Sequence, residues 1–216
     1  MRGRFITFEG GEGVGKSTQL KRLAAALERG GVEVIVTREP GGSPRAEALR
    51  DVLLSGGAKR FGPLAETVLV AAARADHVER TIRPALERGV WALCDRFIDS
   101  TRAYQGALGG VEPELIRAFE KVAAGQTRPD LTLILDAPAA VGLERARLRA
   151  GALAAPDRFE AEGGSFHERL RRAFVEIARS EPERCLLIDA GGDADAVEQR
   201  VWEAVERRLL MAGIVQ

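Results

Sequence analysis

The sequence predicts an α/β fold in which a five-stranded parallel sheet is flanked by helices, and three observations carry that expectation. Short apolar runs alternate with longer amphipathic runs along the chain, the order from which βαβ units and a helix-covered parallel sheet are built. The short runs do not alternate apolar with polar residues, as expected of strands buried on both faces. Finally, Gly10-Gly11-Glu12-Gly13-Val14-Gly15-Lys16-Ser17 follows the first apolar run and opens a helix-like stretch. Its spacing is G-x-x-x-x-G-K-[ST], a phosphate-binding P-loop in its strand–loop–helix context, so the class expected is a P-loop NTPase.

In chain order, the strands are expected at residues 4–8, 32–37, 90–94, 131–136 and 185–188, where the short apolar runs lie. The amphipathic runs between them predict helices at 16–29, 43–54, 64–87, 114–124, 139–149, 165–180 and 193–211. Two segments interrupt the pattern. Residues 106–113 form a glycine-containing loop, and residues 150–164 are rich in alanine and glycine and flanked by arginines. Open α/β sheets bind ligands at the carboxyl ends of their strands, so loops placed there are lid candidates. No repeat and no linker divides the 216 residues. A single domain over 1–216 is expected, with a lid at about 150–164.

Composition excludes several classes. Lysine plus arginine equals aspartate plus glutamate at 32 each, with a pI near 6.8. There is thus no global field to draw in nucleic acid or an anionic membrane. No apolar run approaches the ~20 residues of a membrane span. The chain runs straight into a strand, so no signal peptide is expected. The two cysteines, Cys94 and Cys185, lie in apolar strand-like runs and are expected as buried free thiols in a cytoplasmic, reducing setting.

The P-loop supplies most of a triphosphate site. Gly10, Gly11, Gly13 and Gly15 let successive backbone N–H groups curl inward toward phosphate oxygens, and the helix N-terminus adds its positive dipole end. Lys16 brings a point charge to the β/γ-phosphates and Ser17 a hydroxyl ligand for Mg²⁺. Glu12, Val14 and Thr18 belong to the same ATP-binding stretch. The positive charge elsewhere is mostly arginine; only Lys16, Lys21, Lys59 and Lys121 are lysine, and one of them stands where the loop requires it.

Four clusters extend the site. Asp95-Arg96 closes the third apolar run; an acid there holds Mg²⁺ directly or through water, and an arginine beside it grips phosphate bidentately. Thr37-Arg38-Glu39-Pro40-Gly41-Gly42 makes a stiff, bare turn that a ligand can approach, or an ordinary loop. Arg74 sits among alanines on a partly apolar helix, where periodicity alone reads it as a solvated head on a buried stem. Arg145, Arg147 and Arg149, with Arg158, flank and enter the 150–164 segment. They form either a solvated surface or a set that stabilises the transferring phosphoryl group.

In order and spacing these motifs resemble those of the thymidylate kinases. The resemblance rests on Phe-Glu-Gly-Gly-Glu-Gly-Val-Gly-Lys-Ser-Thr from Phe8, Thr-Arg-Glu-Pro-Gly-Gly from Thr37, Ala-Ala-Arg from Ala72, Cys-Asp-Arg-Phe-Ile-Asp-Ser-Thr-Arg-Ala-Tyr-Gln-Gly from Cys94 and Arg-Pro-Asp-Leu-Thr from Arg128. It implies transfer of the ATP γ-phosphoryl to dTMP with Mg²⁺, in dTTP synthesis, by a homodimer. It also implies residue roles. Glu12 is similar to the acid on the 3′-hydroxyl side of dTMP, Arg96 to the arginine on the dTMP phosphate, and Arg50 to a further acceptor-site arginine. Arg74 resembles the arginine on the thymine edge, which reverses the solvated reading. Thr101 and Gln105 resemble further base contacts, with Glu39, Pro40, Val70 and Ser100 in the same acceptor site. Tyr104 resembles the tyrosine packed under the sugar, where a ribose 2′-hydroxyl would clash. Lys16, Arg96, Glu12 and the lid arginines Arg147 and Arg149 form the catalytic set, and Arg145 falls on the ATP side.

Two departures stand out. The family usually stacks thymine on a phenylalanine where this chain has Val70, and commonly carries a tyrosine where it has Phe174. Val70 keeps a rival acceptor such as dUMP, UMP or CMP open. A non-catalytic P-loop nucleotide-binding protein is the second rival. A GTPase switch would need Asn-Lys-x-Asp, and the chain has no asparagine.

Overall fold

The computed structural model describes residues 2–150 and 162–211, the side chains of residues 149 and 150 excepted. Strands β1 (Phe5–Glu9), β2 (Val34–Arg38), β3 (Trp91–Asp95), β4 (Leu131–Asp136) and β5 (Cys185–Asp189) form one sheet in the order β2-β3-β1-β4-β5. All neighbours pair in parallel, with Phe8 beside both Asp95 and Leu133. This register brings the acidic strand ends Glu9, Asp95 and Asp136 to one edge of the sheet, where the P-loop also begins.

Central β1 is buried throughout, as expected of a strand covered on both faces. Its alternate residues serve two layers. Ile6 and Phe8 join a core with Leu20, Leu23 and Leu27 of α1 (Lys16–Arg29), while Phe5 faces a second core with Val78, Ile82 and Phe97. The α1 leucines recur at three- and four-residue spacing, and each buried one contributes about 1.5–3 kcal/mol. The two-sided burial does not extend to the edges. In β2 and β5, Val36 is 52% and Leu187 46% exposed, because each outer strand has one neighbour and incomplete helical cover.

The remaining helices are α2 (Pro44–Leu54), α3 (Gly62–His77), α4 (Arg83–Glu87), α5 (Ile98–Thr101), α6 (Pro113–Ala124), α7 (Ala139–Ala150), α8 (Gly164–Ser180) and α9 (Ala194–Val205). Three departures from the expected elements concern wide turns. The helix expected at 64–87 is α3 and α4 joined by a π-helical stretch, Val78–Ile82. Pro84 explains it: the ring lacks an N–H and collides with the carbonyl four residues back, so the ladder widens. Part of the loop expected at 106–113 is helical, since α5 continues as a π turn over Arg102–Leu108. Burial of Ala103, Tyr104 and Gln105 outweighs the helix cost of Gly106. The last helix likewise ends as a π turn, Glu206–Leu210. Most of the expected lid, 151–161, lies outside the described residues, and Gly164 already opens α8.

Cys94 and Cys185 are free and buried, in separate cores. Among the described residues no helix is long and apolar enough to cross a membrane.

Candidate active site

The P-loop turns from β1 into α1 through Gly15, whose φ of 98° is left-handed, a region open to glycine at little cost. Close approach imposes a second glycine requirement. A Cβ on Gly13 would lie 1.8 Å from the Gly142 carbonyl oxygen, and one on Gly142 would lie 2.3 Å from that of Glu12. Only bare backbone on both sides lets α7 rest directly on the loop.

Within the loop, Lys16 Nζ donates to the carbonyl oxygens of Gly11 at 2.6 Å and Gly10 at 3.2 Å. Ser17 Oγ donates to Asp95 Oδ2 at 2.6 Å, so the two expected metal ligands meet. A hydroxyl and one carboxylate at the phosphate end suit Mg²⁺, which takes one or two carboxylates and completes its shell with water and substrate phosphate. Among the described residues no group of three or more His, Cys, Asp or Glu is placed to hold a metal.

Beside the loop opens a cavity of about 240 Å³. It is lined by every residue expected in the acceptor site: Glu12, Glu39, Pro40, Arg50, Val70, Arg74, Arg96, Ser100, Thr101, Tyr104 and Gln105. Lys16, Ser17 and Asp95 share its wall. Arg96 is the hub. Its Nη2 donates to Glu12 Oε1 at 2.5 Å and its Nη1 to Gly10 O and Ser100 Oγ, each at 3.1 Å. Tyr104 Oη donates to the same Glu12 oxygen at 2.7 Å, and the Arg96 guanidinium lies 5.1 Å from the Tyr104 ring centre.

The charges are strongly coupled. Burial alone would raise the Glu12 carboxyl, but Arg96, Lys16 and the Tyr104 hydrogen bond outweigh it and hold it at about 2. Burial pushes the Lys16 ammonium down, as does Arg96, while Glu12, Asp95 and Glu9 pull it back. Burial would likewise lower Arg96, but Tyr104, Glu12 and Asp95 raise it, so the guanidinium stays charged.

At the far end Arg74 is buried rather than solvated. Its Nε donates to Glu39 Oε2 at 2.7 Å, and its Nη2 to Phe97 O and Thr101 Oγ1, each at 3.0 Å. Its guanidinium sits 5.0 Å from the Phe97 ring centre. Glu39 precedes a cis peptide to Pro40 and also hydrogen-bonds His77 Nδ1 at 3.0 Å. Arg50 Nη1 donates to Pro40 O at 2.7 Å. Val70 is half-buried on the wall, with Leu53 and Leu54 also lining it, so this end of the cavity has an aliphatic side.

Some expected residues lie elsewhere. Gly10, Gly11 and Val14 line a small hollow behind the loop, with His167, Arg171 and Phe174. Thr18 is exposed on the first turn of α1. Arg145 Nη1 and Nη2 donate to Ala190 O at 3.1 Å and Gly192 O at 2.9 Å, tying α7 to the loop after β5. Arg147 is exposed and does not line the cavity. The Arg149 side chain and Arg158 lie outside the described residues.

Sequence reasoning missed Glu9, Phe97, His77 and the aliphatic pair Leu53 and Leu54. Glu9 carried a readable signal, an acid closing an otherwise apolar strand just before the loop. The other four looked like ordinary helix or strand-end residues.

Comparison with known proteins follows the same outline. A family model described as thymidylate kinase matches residues 8–201. A thymidylate kinase from Bradyrhizobium diazoefficiens is 59% identical over 209 residues, covering 97% of this chain and 91% of the relative. One from Bradyrhizobium sp. strain BTAi1 is 60% identical over 211 residues, covering 98% and 93%. The crystal structure of thymidylate kinase from Ehrlichia chaffeensis superposes with a TM-score of 0.74 at 32% identity, covering 95% of this chain and 99% of that one.

Proposed function

The chain belongs to the thymidylate kinase family, and from that premise we propose that it transfers the ATP γ-phosphoryl to the 5′-phosphate of dTMP, giving dTDP and ADP. It is an ATP-dependent kinase with a P-loop NTPase fold. The observation that carries the acceptor reading is the single cavity joining P-loop residues Lys16 and Ser17 to Arg96 at one end and to Arg74, Thr101 and Gln105 at the other.

Two polyanions must meet for this reaction, and the acceptor is already an ionised phosphate. Little base catalysis is needed; charge neutralisation and alignment do most of the work. In this reading the P-loop amides and Lys16 hold the donor phosphates. Ser17 and Asp95 hold Mg²⁺, which screens the phosphate charge when bound. Arg96 takes the acceptor phosphate, supported by its permanent charge and its place beside the loop. Glu12, kept ionised, accepts from Arg96 and Tyr104 and so sets both side chains, leaving its second oxygen for the sugar. Tyr104 bars a 2′-hydroxyl by bulk. Arg74, Thr101 and Gln105 offer hydrogen bonds to a pyrimidine edge, with Val70 and Phe97 as its apolar walls. Arg145, bound to the 190–192 loop, belongs to the nucleoside side of ATP. Arg147 and Arg149, further along α7, are the arginines assigned to the transferring group, with closure of the 150–164 segment excluding water.

The exposed Val52, Phe61, Leu64, Val68 and Val122 on and around α2, α3 and α6 support pairing as a homodimer, and the two free thiols support a cytoplasmic setting. A coupled ADP-release assay across dTMP, dUMP, UMP, CMP and AMP tests the acceptor. Preference for dTMP is expected; equal turnover of CMP would overturn the assignment of Arg74 and Gln105.

A further inference from the structure

Glu9 is fully buried at the carboxyl end of β1 and is not among the residues that line the cavity. Its Oε1 accepts the Phe97 N–H at 2.7 Å and its Oε2 accepts the Ser100 hydroxyl at 2.6 Å. Ser100 Oγ in turn accepts from Arg96 Nη1 at 3.1 Å. Arg96 has φ of 70°, and it is the only non-glycine with a positive φ among the described residues. A left-handed arginine is strained and persists only where its surroundings fix it. Three bonds fix this one: the Arg96 N–H donates to Phe8 O at 2.9 Å, Cys94 Sγ donates to Arg96 O at 3.1 Å, and the Phe97 N–H, on the peptide directly after Arg96, is held by Glu9.

We propose that Glu9 is a positioning residue for Arg96. As a carboxylate it ends a one-way chain of donors from Arg96 through Ser100, and it pins the strained peptide that aims the guanidinium at the acceptor phosphate. The inference rests on the reading of Arg96 as the ligand of that phosphate.

The direction of the chain makes the charge state matter. A carboxylate only accepts, so the Ser100 proton points to Glu9 and its lone pair faces Arg96. A protonated Oε2 would donate to Ser100 instead, turning the Ser100 proton toward Arg96, itself a donor. A protonated Oε1 would lose the Phe97 N–H. Either way Arg96 loses an anchor. Burial, then the nearby Asp99, push the Glu9 carboxyl up to about 7, against Ser100, Arg96 and the Phe97 N–H. The other titratable groups that feel its charge are Lys16 on α1, Cys94 on β3 and Tyr104 on the π turn.

Glu9→Gln mimics the protonated state, since its amide nitrogen must donate toward Ser100. The variant is expected to fold, by circular dichroism and thermal melt, and to lose about ten- to hundredfold in kcat/KM for dTMP, as small misplacements of a reacting group do. The pH profile is the sharper readout. Wild type should lose activity on acidification with two protons, one from Glu9 and one from the dTMP phosphate near about 6; Glu9→Gln should show the substrate proton alone. A Glu9→Gln enzyme with wild-type kcat/KM, or with both protons still in its profile, overturns the proposal. Should Glu9→Gln not fold, Ser100→Ala decides, because it cuts the same chain while leaving the Phe97 N–H bound. It should lower kcat/KM for dTMP while keeping the Glu9 proton that acts through the Phe97 N–H, and a wild-type kcat/KM overturns the proposal. Arg96→Ala, run alongside, separates the layers: if it leaves dTMP turnover intact, the reading of Arg96 fails, whatever Glu9 does.

Discussion

Arg74 Nε donates to Glu39 Oε2 across 2.7 Å, with both side chains at most 4% exposed. A charge so buried depends on its partner: removing one member of a buried pair costs about 3–5 kcal/mol, because the other is left uncompensated. Glu39 holds more than Arg74, since its other oxygen meets His77, and His77 Nε2 lies 2.7 Å from Thr37 Oγ1. One carboxylate therefore couples β2, the cis turn and α3.

Glu39→Gln keeps an acceptor for Arg74 and removes the charge. The expected loss is about 3 kcal/mol by chemical denaturation, with a raised KM for dTMP and a smaller change in kcat. A variant of wild-type stability and KM would mean that Phe97 O and Thr101 suffice to hold the guanidinium.

Lys16 lies on the carbonyls of its own loop and is largely buried, outside the apolar clusters of the core. Lys16→Met should melt within a few degrees of wild type and show no measurable ADP release, since it removes the charge that meets the donor phosphates. Near-normal turnover would displace the triphosphate from the P-loop.

Two carboxylates three residues apart give opposite pH dependence of stability. Glu12 falls from 4.5 to about 2 in the folded chain. Its contribution is therefore complete above about pH 4.5 and is lost as pH falls through about 2. Glu9 rises from 4.5 to about 7, so its contribution is complete below pH 4.5 and is lost as pH rises through 7. Denaturant titrations of Glu12→Gln should show a deficit against wild type at pH 6 that shrinks toward pH 2. A deficit constant over that range would place the Glu12 charge outside the stability balance.

The sheet and the P-loop were legible in the sequence because each rests on short-range chemistry, whereas the acceptor-site residues came from the family resemblance. Unbroken apolar runs specify central strands, and Gly15-Lys16-Ser17 has one purpose in its context. What was not legible depends on neighbours far along the chain. Nothing local to Arg74 distinguishes a buried arginine from a snorkelling one; Glu39, 35 residues earlier, decides it. The wide turn over Arg102–Leu108 escaped notice because Gly106 argues for a loop, while the burial that overrides it comes from packing against α8. Pro84 was visible, but a proline in a helical pattern announces a break without saying that the ladder will widen before it.

The meeting of Gly13 with Gly142 sorts the arginines of α7 mechanically. The first half of that helix is wedged against the loop, and Arg145 is lashed to residues 190–192, so this stretch behaves as part of the chassis. The wedge reaches Ala146, whose backbone nitrogen lies 3.0 Å from where a Gly13 Cβ would sit. Arg145 is thereby held by two rigid neighbours at once, the P-loop through its helix and the 190–192 loop through its guanidinium.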